Sequence, residues 1–492
     1  MNDKRHTVLQ LSPKINRYFW DLRLSLYYGI KINTNMRKFI LSIAVIFLFN
    51  SVLDASSVRK DLQDYTITNI SAQVSNKASA YLPIYKADFW IKRLNNPDEP
   101  ILSPQEIHEL NGAIINENDE MADIREMQET VSKDDLTKWL LEDHFPQDKI
   151  MFDKKGKTVK EAFYKELTDN MNIEAVAESN AVKFGVVVKR TDIRAFPTDE
   201  PVLKSPSAKD FDAFQYSAIY PPQTVALFHK SRDGKWGFFQ TTFVRGWIRL
   251  DNIAPANAKD DIQANAGEFL VITGSKVPVF SEKKKVIETI PMGASFALHG
   301  ENRTHWIIKF PQKDENGLLK WIDAYIKKGA DAHIGPLPYT KKNVLIQAFK
   351  ILGEGYGWGG RNGLRDCSSF IKDVFATMDI NLPRHSSHQA TVGILRAYLD
   401  GSAAPETINE AMDSAIPGIT LLGLNGHIML YLGNINGNYY TLHQFFGYHD
   451  KDGFRTVNKA VVTNLEIGKG SRMGAMKDRI RSVNLIMLDT VN

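Results

Sequence analysis

The segment Tyr356-Gly-Trp-Gly-Gly-Arg-Asn-Gly-Leu-Arg-Asp-Cys-Ser-Ser-Phe-Ile371 contains the only cysteine of the 492-residue chain. A glycine-rich run precedes Cys367, and apolar residues follow it at helical spacing: Phe370, Ile371, Val374, Phe375 and Met378. This pattern predicts an amphipathic helix that begins at the cysteine. Unpaired backbone N–H groups and the positive end of the helix dipole would favour the thiolate, which is the nucleophilic form. The alternative is a buried structural cysteine that packs as a small apolar residue.

Two histidines lie on either side of a predicted β-hairpin. His427 lies in the apolar strand 426–433, His443 lies in the strand 438–443, and the segment 433–438 is a strong turn signal. Both histidines are eight residues from position 435, so the imidazoles are expected roughly opposite each other on one face of the hairpin. A slip of one residue in the turn would move one of them to the other face. A cysteine at a helix start and two cross-strand histidines indicate a nucleophile, a base and an orienting group.

With these motifs in order, residues 340–490 resemble the NlpC/P60 cysteine peptidases, which are papain-like enzymes that cut bacterial cell-wall peptides. The resemblance rests on four segments: Tyr356-x-Trp358-Gly-Gly, Asp366-Cys-Ser-Ser-Phe370, Leu382-Pro-Arg-His-Ser-Ser-His-Gln389 and Gly426-His-Ile-Met-Leu-Tyr-Leu-Gly433. It implies acyl transfer to water through a thioester, with Cys367 as nucleophile, His427 as general base and His443 as the residue that orients His427. Tyr356 is expected to contact the substrate, and the alternative for it is a packed aromatic.

Asp366 and Ser368 flank the predicted nucleophile. From the residues alone, they could simply cap the helix. In relatives that act on short wall peptides, the Asp-Cys-Ser triplet helps to hold the free amine of the substrate and the carboxylate of D-glutamate, so the resemblance implies that both residues bind substrate. It also implies supporting roles for Arg384, Ser386 and Gln389. In the same relatives, an acidic residue of the first SH3-like barrel suits the amine, and four residues are candidates here: Asp192, Asp199, Glu200 and Asp251.

The chain upstream changes from a polar, helical pattern to short strands and turns at about residue 180. Two tryptophan pairs, each with isoleucine after the second tryptophan, form a weak internal repeat: Trp236 with Trp247, and Trp306 with Trp321. The two units resemble bacterial SH3-like domains. The predicted fold is therefore α+β. We expect a papain-like catalytic domain at 336–492, preceded by small SH3-like β-barrels at 176–258 and 259–335 and by a mostly helical stabilising region at 56–175.

The N-terminal sequence predicts an export signal. Met36-Arg-Lys precedes the apolar run Phe39–Phe49, and Ala55 is a small residue at a plausible cleavage point. The run is short for a membrane span, which needs about 20 apolar residues. Either translation begins at Met36 and residues 36–55 are a signal peptide, or this segment is an anchor in the inner membrane with residues 1–35 as its cytoplasmic tail. Both interpretations export the chain to the periplasm or cell envelope.

Composition and motifs exclude several other classes of protein. A net charge of +4 from 61 basic and 57 acidic residues is too balanced to indicate nucleic-acid binding. His385 and His388 are three residues apart but show no third zinc ligand, and the glycine-rich run lacks the Lys-Ser/Thr of a phosphate-binding loop, so we expect no metal and no cofactor.

The predicted activity is that of a γ-D-glutamyl–diamino acid endopeptidase on peptidoglycan stem peptides or muropeptide fragments. The alternatives are a papain-like amidase or acyltransferase and a cell-wall-binding protein without catalysis. A thiol-reactive probe would separate an enzyme from a binding protein, because only the enzyme needs a reactive Cys367.

Overall fold

The computed structural model describes residues 82–146, 149–262, 264, 267–399 and 404–488, which all lie in the compact unit that spans residues 68–492. The predicted leader at 1–35, the export segment at 36–55 and the beginning of the expected helical region lie outside the described residues. Within the described ranges, no helix is both long and apolar enough to cross a membrane.

From residue 82 onward, the structure places four α-helices before the first large sheet: α1 (Ala87–Ile91), α2 (Pro104–Glu117), α3 (Lys133–Leu140) and α4 (Glu161–Met171). A capping box begins α2, because the Ser103 hydroxyl accepts from the backbone N–H of Glu106 and the Glu106 carboxylate accepts from the backbone N–H of Ser103. The buried residues of α2 lie on one face: Ile107, Leu110 and Ile114. A satisfied N-terminus and one apolar face therefore make this largely polar segment helical.

Two short strands flank α3 and α4, β1 (Thr130–Ser132) and β2 (Ser179–Ala181), and pair with each other. A seven-stranded antiparallel sheet follows: β3 (Lys183–Val187), β4 (Thr191–Arg194), β5 (Gln215–Ile219), β6 (Thr224–Lys230), β7 (Trp236–Gln240), β8 (Arg245–Arg249) and β9 (Ile253–Pro255). Its core contains Trp247, which is fully buried, together with Leu136 of α3 and Leu167 of α4. The helices and the first sheet therefore share one apolar core.

A second seven-stranded sheet repeats the connectivity of the first. Its strands are β10 (Glu268–Ile272), β11 (Lys276–Phe280), β12 (Val286–Pro291), β13 (Ser295–Glu301), β14 (His305–Lys313), β15 (Leu319–Lys327) and β16 (Ala332–Ile334). The strand order is β5-β4-β8-β7-β6-β3-β9 in the first sheet and β12-β11-β15-β14-β13-β10-β16 in the second, so each strand matches the one seven places later. The tryptophan pairs occupy matching strands, β7 with β8 and β14 with β15, which explains the repeat seen in the sequence.

The C-terminal part is an α+β unit with a six-stranded antiparallel sheet in the order β17-β22-β18-β19-β20-β21. Its strands are β17 (Ile394–Tyr398), β18 (Thr420–Leu424), β19 (His427–Ile435), β20 (Asn438–Asp450), β21 (Gly453–Asn464) and β22 (Ile480–Leu485). Its helices are α5 (Lys341–Lys350), α6 (Cys367–Ala376), α7 (Ser386–Gln389) and α8 (Pro405–Asp413). The apolar face of α6 packs on β19 and β20, as the helical spacing after Cys367 predicted.

Candidate active site

The predicted nucleophile is the first residue of α6. The Asp366 side chain accepts from the backbone N–H of Ser369, and the Ser369 hydroxyl accepts from the backbone N–H of Asp366, so a reciprocal capping box begins the helix at Cys367. Cys367 is buried, and its Sγ accepts a hydrogen bond from the backbone N–H of Ile428, the second residue of β19. This contact brings the thiol against the backbone of the residue that follows His427.

The protonation of the cysteine differs from the sequence prediction. Burial, together with the charge of Asp366, raises the pKa of the Cys367 thiol to about 12, although the Ile428 N–H and the Arg384 guanidinium act in the opposite direction. The predicted shift toward the thiolate is therefore wrong, because desolvation outweighs the helix dipole. Burial also lowers the pKa of His427 to about 4. The resting pair is a neutral thiol beside a neutral imidazole.

The two histidines of the hairpin lie on one face and contact each other, as predicted. His427 Nε2 and His443 Nδ1 are 2.7 Å apart, which leaves His427 Nδ1 as the ring nitrogen available to the thiol. The turn pairs Ile435 with Asn438, and that register alone would place the histidines on opposite faces. A β-bulge between Tyr431 and Gly433 adds one residue to β19 and restores the common face. The histidines are therefore diagonal neighbours instead of a directly opposite pair.

The carboxylate of Asp366 is fully occupied within the protein. It accepts hydrogen bonds from Arg384 Nη2 at 2.6 Å, from the Gly359 N–H at 2.9 Å and from both the N–H and the hydroxyl of Ser369. Burial alone would raise the pKa of Asp366, but the Arg384 guanidinium and the Ser369 hydrogen bonds hold it below its usual range. The helix-cap interpretation, which the residues alone allowed, therefore describes the contacts of this carboxylate.

Arg384 also contacts the other predicted substrate-binding residue in this triplet. Its Nη1 donates to the Ser368 hydroxyl at 2.7 Å, and its Nε donates to the Ser217 hydroxyl of β5 at 2.8 Å. Gln389 donates from Nε2 to the Ser368 carbonyl at 2.9 Å and to the Pro383 carbonyl at 2.8 Å. The sequence assigned Arg384 and Gln389 only supporting roles. The structure shows that Arg384 links the cysteine helix to the first sheet.

The first sheet packs directly on the glycine-rich turn before α6. Gln215 donates to the Gly359 carbonyl at 2.9 Å, and Arg190 donates to the Gly360 carbonyl at 2.9 Å. Gly359 has a φ of 57°, and a Cβ there would collide with Gln215. Only glycine combines this backbone conformation with such close approach of another chain segment, so the turn is shaped by its contact with β5.

Four aromatic side chains lie at the same junction and are called the aromatic wall here: Phe211, Tyr356, Trp358 and Phe446. The ring centroid of Phe211, in the loop between β4 and β5, is 5.2 Å from that of Trp358, 6.3 Å from that of Tyr356 and 4.5 Å from that of Phe446. Trp358 donates from Nε1 to the Asp212 carbonyl at 2.9 Å. Burial, followed by the charges of Cys367 and Asp366, raises the pKa of the Tyr356 hydroxyl. Tyr356 is therefore a packed aromatic that also lies within the electrostatic reach of the nucleophile.

The four acidic residues that are candidates for binding the substrate amine have different partners. Asp192 accepts from Arg190 Nη2 at 2.6 Å and from Gln215 Nε2 at 2.9 Å, the same groups that contact the glycine-rich turn. In contrast, Glu200 pairs with Lys154, and Asp199 and Asp251 both face Arg249. Asp192 is thus the candidate that these contacts connect to the Gly359–Gly360 turn.

A carboxylate that the sequence did not connect with the two spaced histidines reaches them from the loop after α2. Glu120 Oε2 is 3.4 Å from His385 Nε2 and 3.7 Å from His388 Nδ1. Across the described part of the chain, no group of three or more His, Cys, Asp or Glu residues has a metal-binding arrangement. No local sequence pattern could predict this contact, because Glu120 and His385 are 265 positions apart.

The pKa values of the cysteine and the histidine predict a broad pH optimum. His427 must be neutral to accept the thiol proton, and its pKa of about 4 keeps it neutral above about pH 5. The thiol pKa of about 12 keeps Cys367 protonated across the neutral range. We therefore expect kcat/KM to stay level from about pH 5 to about pH 9 and to fall about tenfold per pH unit below pH 4. A steady-state pH profile measures this, and an acid limb centred near the ordinary histidine pKa of about 6.5 would contradict it.

The C-terminal unit is therefore an α+β domain with a cysteine at the start of a helix and two contacting histidines on the sheet that packs against this helix. Residues 353–445 match the model of the NlpC/P60 family, and residues 201–249 match the model of the SH3 domain of SH3b1 type. The chain therefore contains an NlpC/P60 domain and an SH3b1-type SH3 domain, which confirms the family resemblance drawn from the motifs.

Among solved structures, the chain is similar to an NlpC/P60 endopeptidase from Photobacterium damselae subsp. piscicida, with 21% identity over 81% of this chain and 95% of that chain and a TM-score of 0.63. It also aligns with an NlpC/P60 family protein from Bacillus cereus ATCC 10987, with 14% identity over 62% of this chain and 99% of that chain and a TM-score of 0.45. The first likeness supports the fold across most of the chain. No curated protein matches the sequence.

Proposed function

We propose that the protein is a cysteine peptidase that hydrolyses peptides of the bacterial cell wall. One arrangement carries the proposal: the thiol at the start of α6 accepts from the backbone N–H of Ile428, the residue after His427, and His427 Nε2 is 2.7 Å from His443 Nδ1. A nucleophile, a base and an orienting group in this order form the arrangement required for covalent acyl transfer. A protein that only binds the wall has no need of such a set.

The geometry supports the following reaction. Cys367 Sγ attacks the substrate carbonyl while His427 Nδ1 takes the thiol proton, so that a neutral pair in the resting site becomes charged only during the reaction. His443 holds the imidazolium through its 2.7 Å hydrogen bond. His427 then protonates the leaving amine, and water hydrolyses the thioester. The backbone N–H of Cys367, at the start of α6, is the proposed donor to the oxyanion.

We propose further that the substrate is a short stem peptide with a free N-terminal amine, cleaved between γ-D-glutamate and the diamino acid. The first sheet supports this restriction, because Gln215, Arg190 and Phe211 bring it against the glycine-rich turn and the aromatic wall. Among its acidic residues, Asp192 is proposed to bind the amine, since it shares Arg190 and Gln215 with the Gly359–Gly360 turn. Ser368, whose hydroxyl is bound to Arg384, is the proposed contact to the D-glutamate carboxylate.

The remaining predictions stand as part of this proposal. The second sheet, with the same strand order as the first, is proposed to be a second SH3-like domain, and residues 56–175 to be the stabilising helical region. Residues 36–55 are proposed to export the chain to the periplasm or cell envelope, as a cleaved signal or as an inner-membrane anchor. The apolar run at 39–49 and the two basic residues before it support this placement.

The test uses the purified protein with L-Ala-γ-D-Glu-diaminopimelate and with the N-acetylated form of the same peptide, and identifies products by mass. Release of L-Ala-D-Glu from the free-amine peptide alone is the expected result. Cleavage of both forms would keep the peptidase but reject the amine requirement. If neither is cleaved while a thiol probe still labels Cys367, the proposed substrate is wrong, and acyl transfer to another acceptor becomes the next candidate.

The aromatic wall gives this proposal its own prediction. Phe211→Ala should raise KM for the free-amine peptide about tenfold and increase the relative rate on the N-acetylated peptide, because the half-buried Phe211 ring contacts three other aromatic rings and such packing is worth about 1–2 kcal/mol. Phe269→Ala in β10 is the matched control, since Phe269 is 48% exposed and lies on the second sheet. Equal kinetics for Phe211→Ala and Phe269→Ala would show that Phe211 does not border the substrate.

A further inference from the structure

A chain of hydrogen bonds continues behind the two histidines and ends at a thioether. His427 Nε2 lies 2.7 Å from His443 Nδ1, and His443 Nε2 lies 3.0 Å from Thr463 Oγ1. Thr463 Oγ1 lies 3.4 Å from Thr441 Oγ1, and the Thr441 hydroxyl donates to Met429 Sδ at 3.7 Å. All members behind His427 are buried, with at most 3% exposure. Bulk water therefore does not compete for these contacts.

The donor-to-acceptor direction of these hydrogen bonds decides whether His427 can act as a base. Burial lowers the pKa of His427 and of His443, so each ring is neutral and carries one N–H. If His427 holds its hydrogen on Nε2, it donates to His443 Nδ1 and keeps a lone pair on Nδ1 for the thiol of Cys367. His443 must then hold its own hydrogen on Nε2. In the opposite arrangement, His427 Nδ1 carries the hydrogen and cannot accept the thiol proton.

Met429, the last member of this hydrogen-bonded series, selects between the two directions. A thioether has no hydrogen and can only accept, so Thr441 points its hydroxyl hydrogen at Met429 and offers its oxygen to Thr463. Thr463 then donates to Thr441 and presents a lone pair to the Nε2–H of His443. The polarity set at Met429 therefore passes back to His427 through four hydrogen bonds.

We propose that Thr463 is a positioning residue that holds His443, and through it His427, in the tautomer that leaves His427 Nδ1 as the base toward Cys367. Without its oxygen, His443 would have a buried Nε2–H and no acceptor, which costs more than leaving a buried acceptor unpaired. His443 would move its hydrogen to Nδ1 and point it at His427. Both imidazoles would then reverse together, and the thiol would lose its proton acceptor.

This inference rests on the proposed function, and Thr463→Val tests it because valine keeps the shape of threonine while removing the hydroxyl. We expect kcat to fall about 10- to 100-fold with KM within about twofold of the native value, since groups that orient a reacting side chain have effects of this size. Thr463→Ser restores the oxygen and should recover kcat to within about threefold. The control is Thr420→Val in β18, because Thr420 is equally buried but accepts only from the Ile416 N–H.

Two readouts do not depend on the peptide substrate. The rate of Cys367 alkylation by iodoacetamide at pH 7 should fall in Thr463→Val and recover in Thr463→Ser. The ¹⁵N shifts of the His427 and His443 rings should report Nε2–H in the native protein and Nδ1–H in Thr463→Val. A merely structural role would lower the melting temperature without moving the ring protons or separating kcat from KM.

The outcomes separate this inference from the proposed function. Unchanged alkylation rates and ring shifts in Thr463→Val overturn the positioning role, even when the native protein cleaves the peptide. If the ring tautomers change in Thr463→Val but the native protein does not cleave the peptide, the positioning role is supported and the proposed substrate is rejected. If Thr463→Val does not fold, Met429→Leu removes the terminal acceptor instead, and it should slow alkylation about fivefold. No slowing in Met429→Leu would overturn the inference.

Discussion

Cys367→Ala should abolish hydrolysis of the wall peptide, with kcat/KM reduced by at least about 10⁴-fold and the fold retained. Loss of the nucleophile removes the covalent step itself, and such losses reach about 10⁶-fold in enzymes that use an activated side chain. The chain has no second cysteine to substitute for it. Steady-state kinetics on the free-amine peptide and labelling with a thiol probe together measure the effect.

Cys367→Ser serves as the sharper control for this prediction. It replaces the thiol with a hydroxyl of nearly the same volume, but a serine hydroxyl is a much weaker nucleophile next to a base that is already a weak proton acceptor. We therefore expect both variants to be inactive and both to melt close to the native protein. More than about 1% residual activity in either variant would show that the reaction uses another group.

Arg384→Met should destabilise the C-terminal unit by about 3–5 kcal/mol, because it leaves the Asp366 carboxylate buried without its charged partner. The two side chains are 3% and 8% exposed, and their N–O distance is 2.6 Å. Activity should fall with stability, since Asp366 begins the helix that carries Cys367 and Arg384 also holds Ser368. Urea unfolding followed by hydrogen exchange within α6 measures the first effect, and kcat/KM measures the second.

Arg365→Met provides a matched comparison. Arg365 is also buried and forms two ion pairs at 2.8 Å, with Glu354 and with Asp373, and its other donors reach Ser275 before the second sheet's β11. We expect a similar loss of stability but a smaller loss of activity, because none of these hydrogen bonds reaches Asp366 or Ser368. Equal activity losses in Arg365→Met and Arg384→Met would mean that Arg384 acts only through general stability.

The double variant Arg384→Met with Asp366→Asn separates charge from position. It removes the buried charge that Arg384→Met leaves behind, so part of the stability should return. The amide retains one oxygen to cap α6 but has no guanidinium to hold it against Gly359 and Ser368. We therefore expect recovery of the melting temperature without recovery of kcat. Full recovery of both would show that only charge balance matters at this position.

Much of the fold could be predicted from local spacing. The apolar period after Cys367 predicted α6, and the turn signal between two apolar strands predicted the hairpin of β19 and β20. The paired tryptophans predicted two related units, and the two sheets have the same strand order. These predictions worked because helix period, strand alternation and turn residues act over a few neighbouring positions.

Local sequence patterns therefore specify the order of the chemical groups: a cysteine at a helix start, then two histidines on a hairpin. The protonation, orientation and partners of these groups depend on how distant segments pack together. Burial raises the pKa of Cys367, which the sequence predicted to be lowered. A β-bulge places the two histidines on a common face, and Arg384 forms an ion pair with the Asp366 carboxylate. Desolvation, register and ion pairing depend on segments that are distant in sequence, and a local pattern carries no information about which of them will meet.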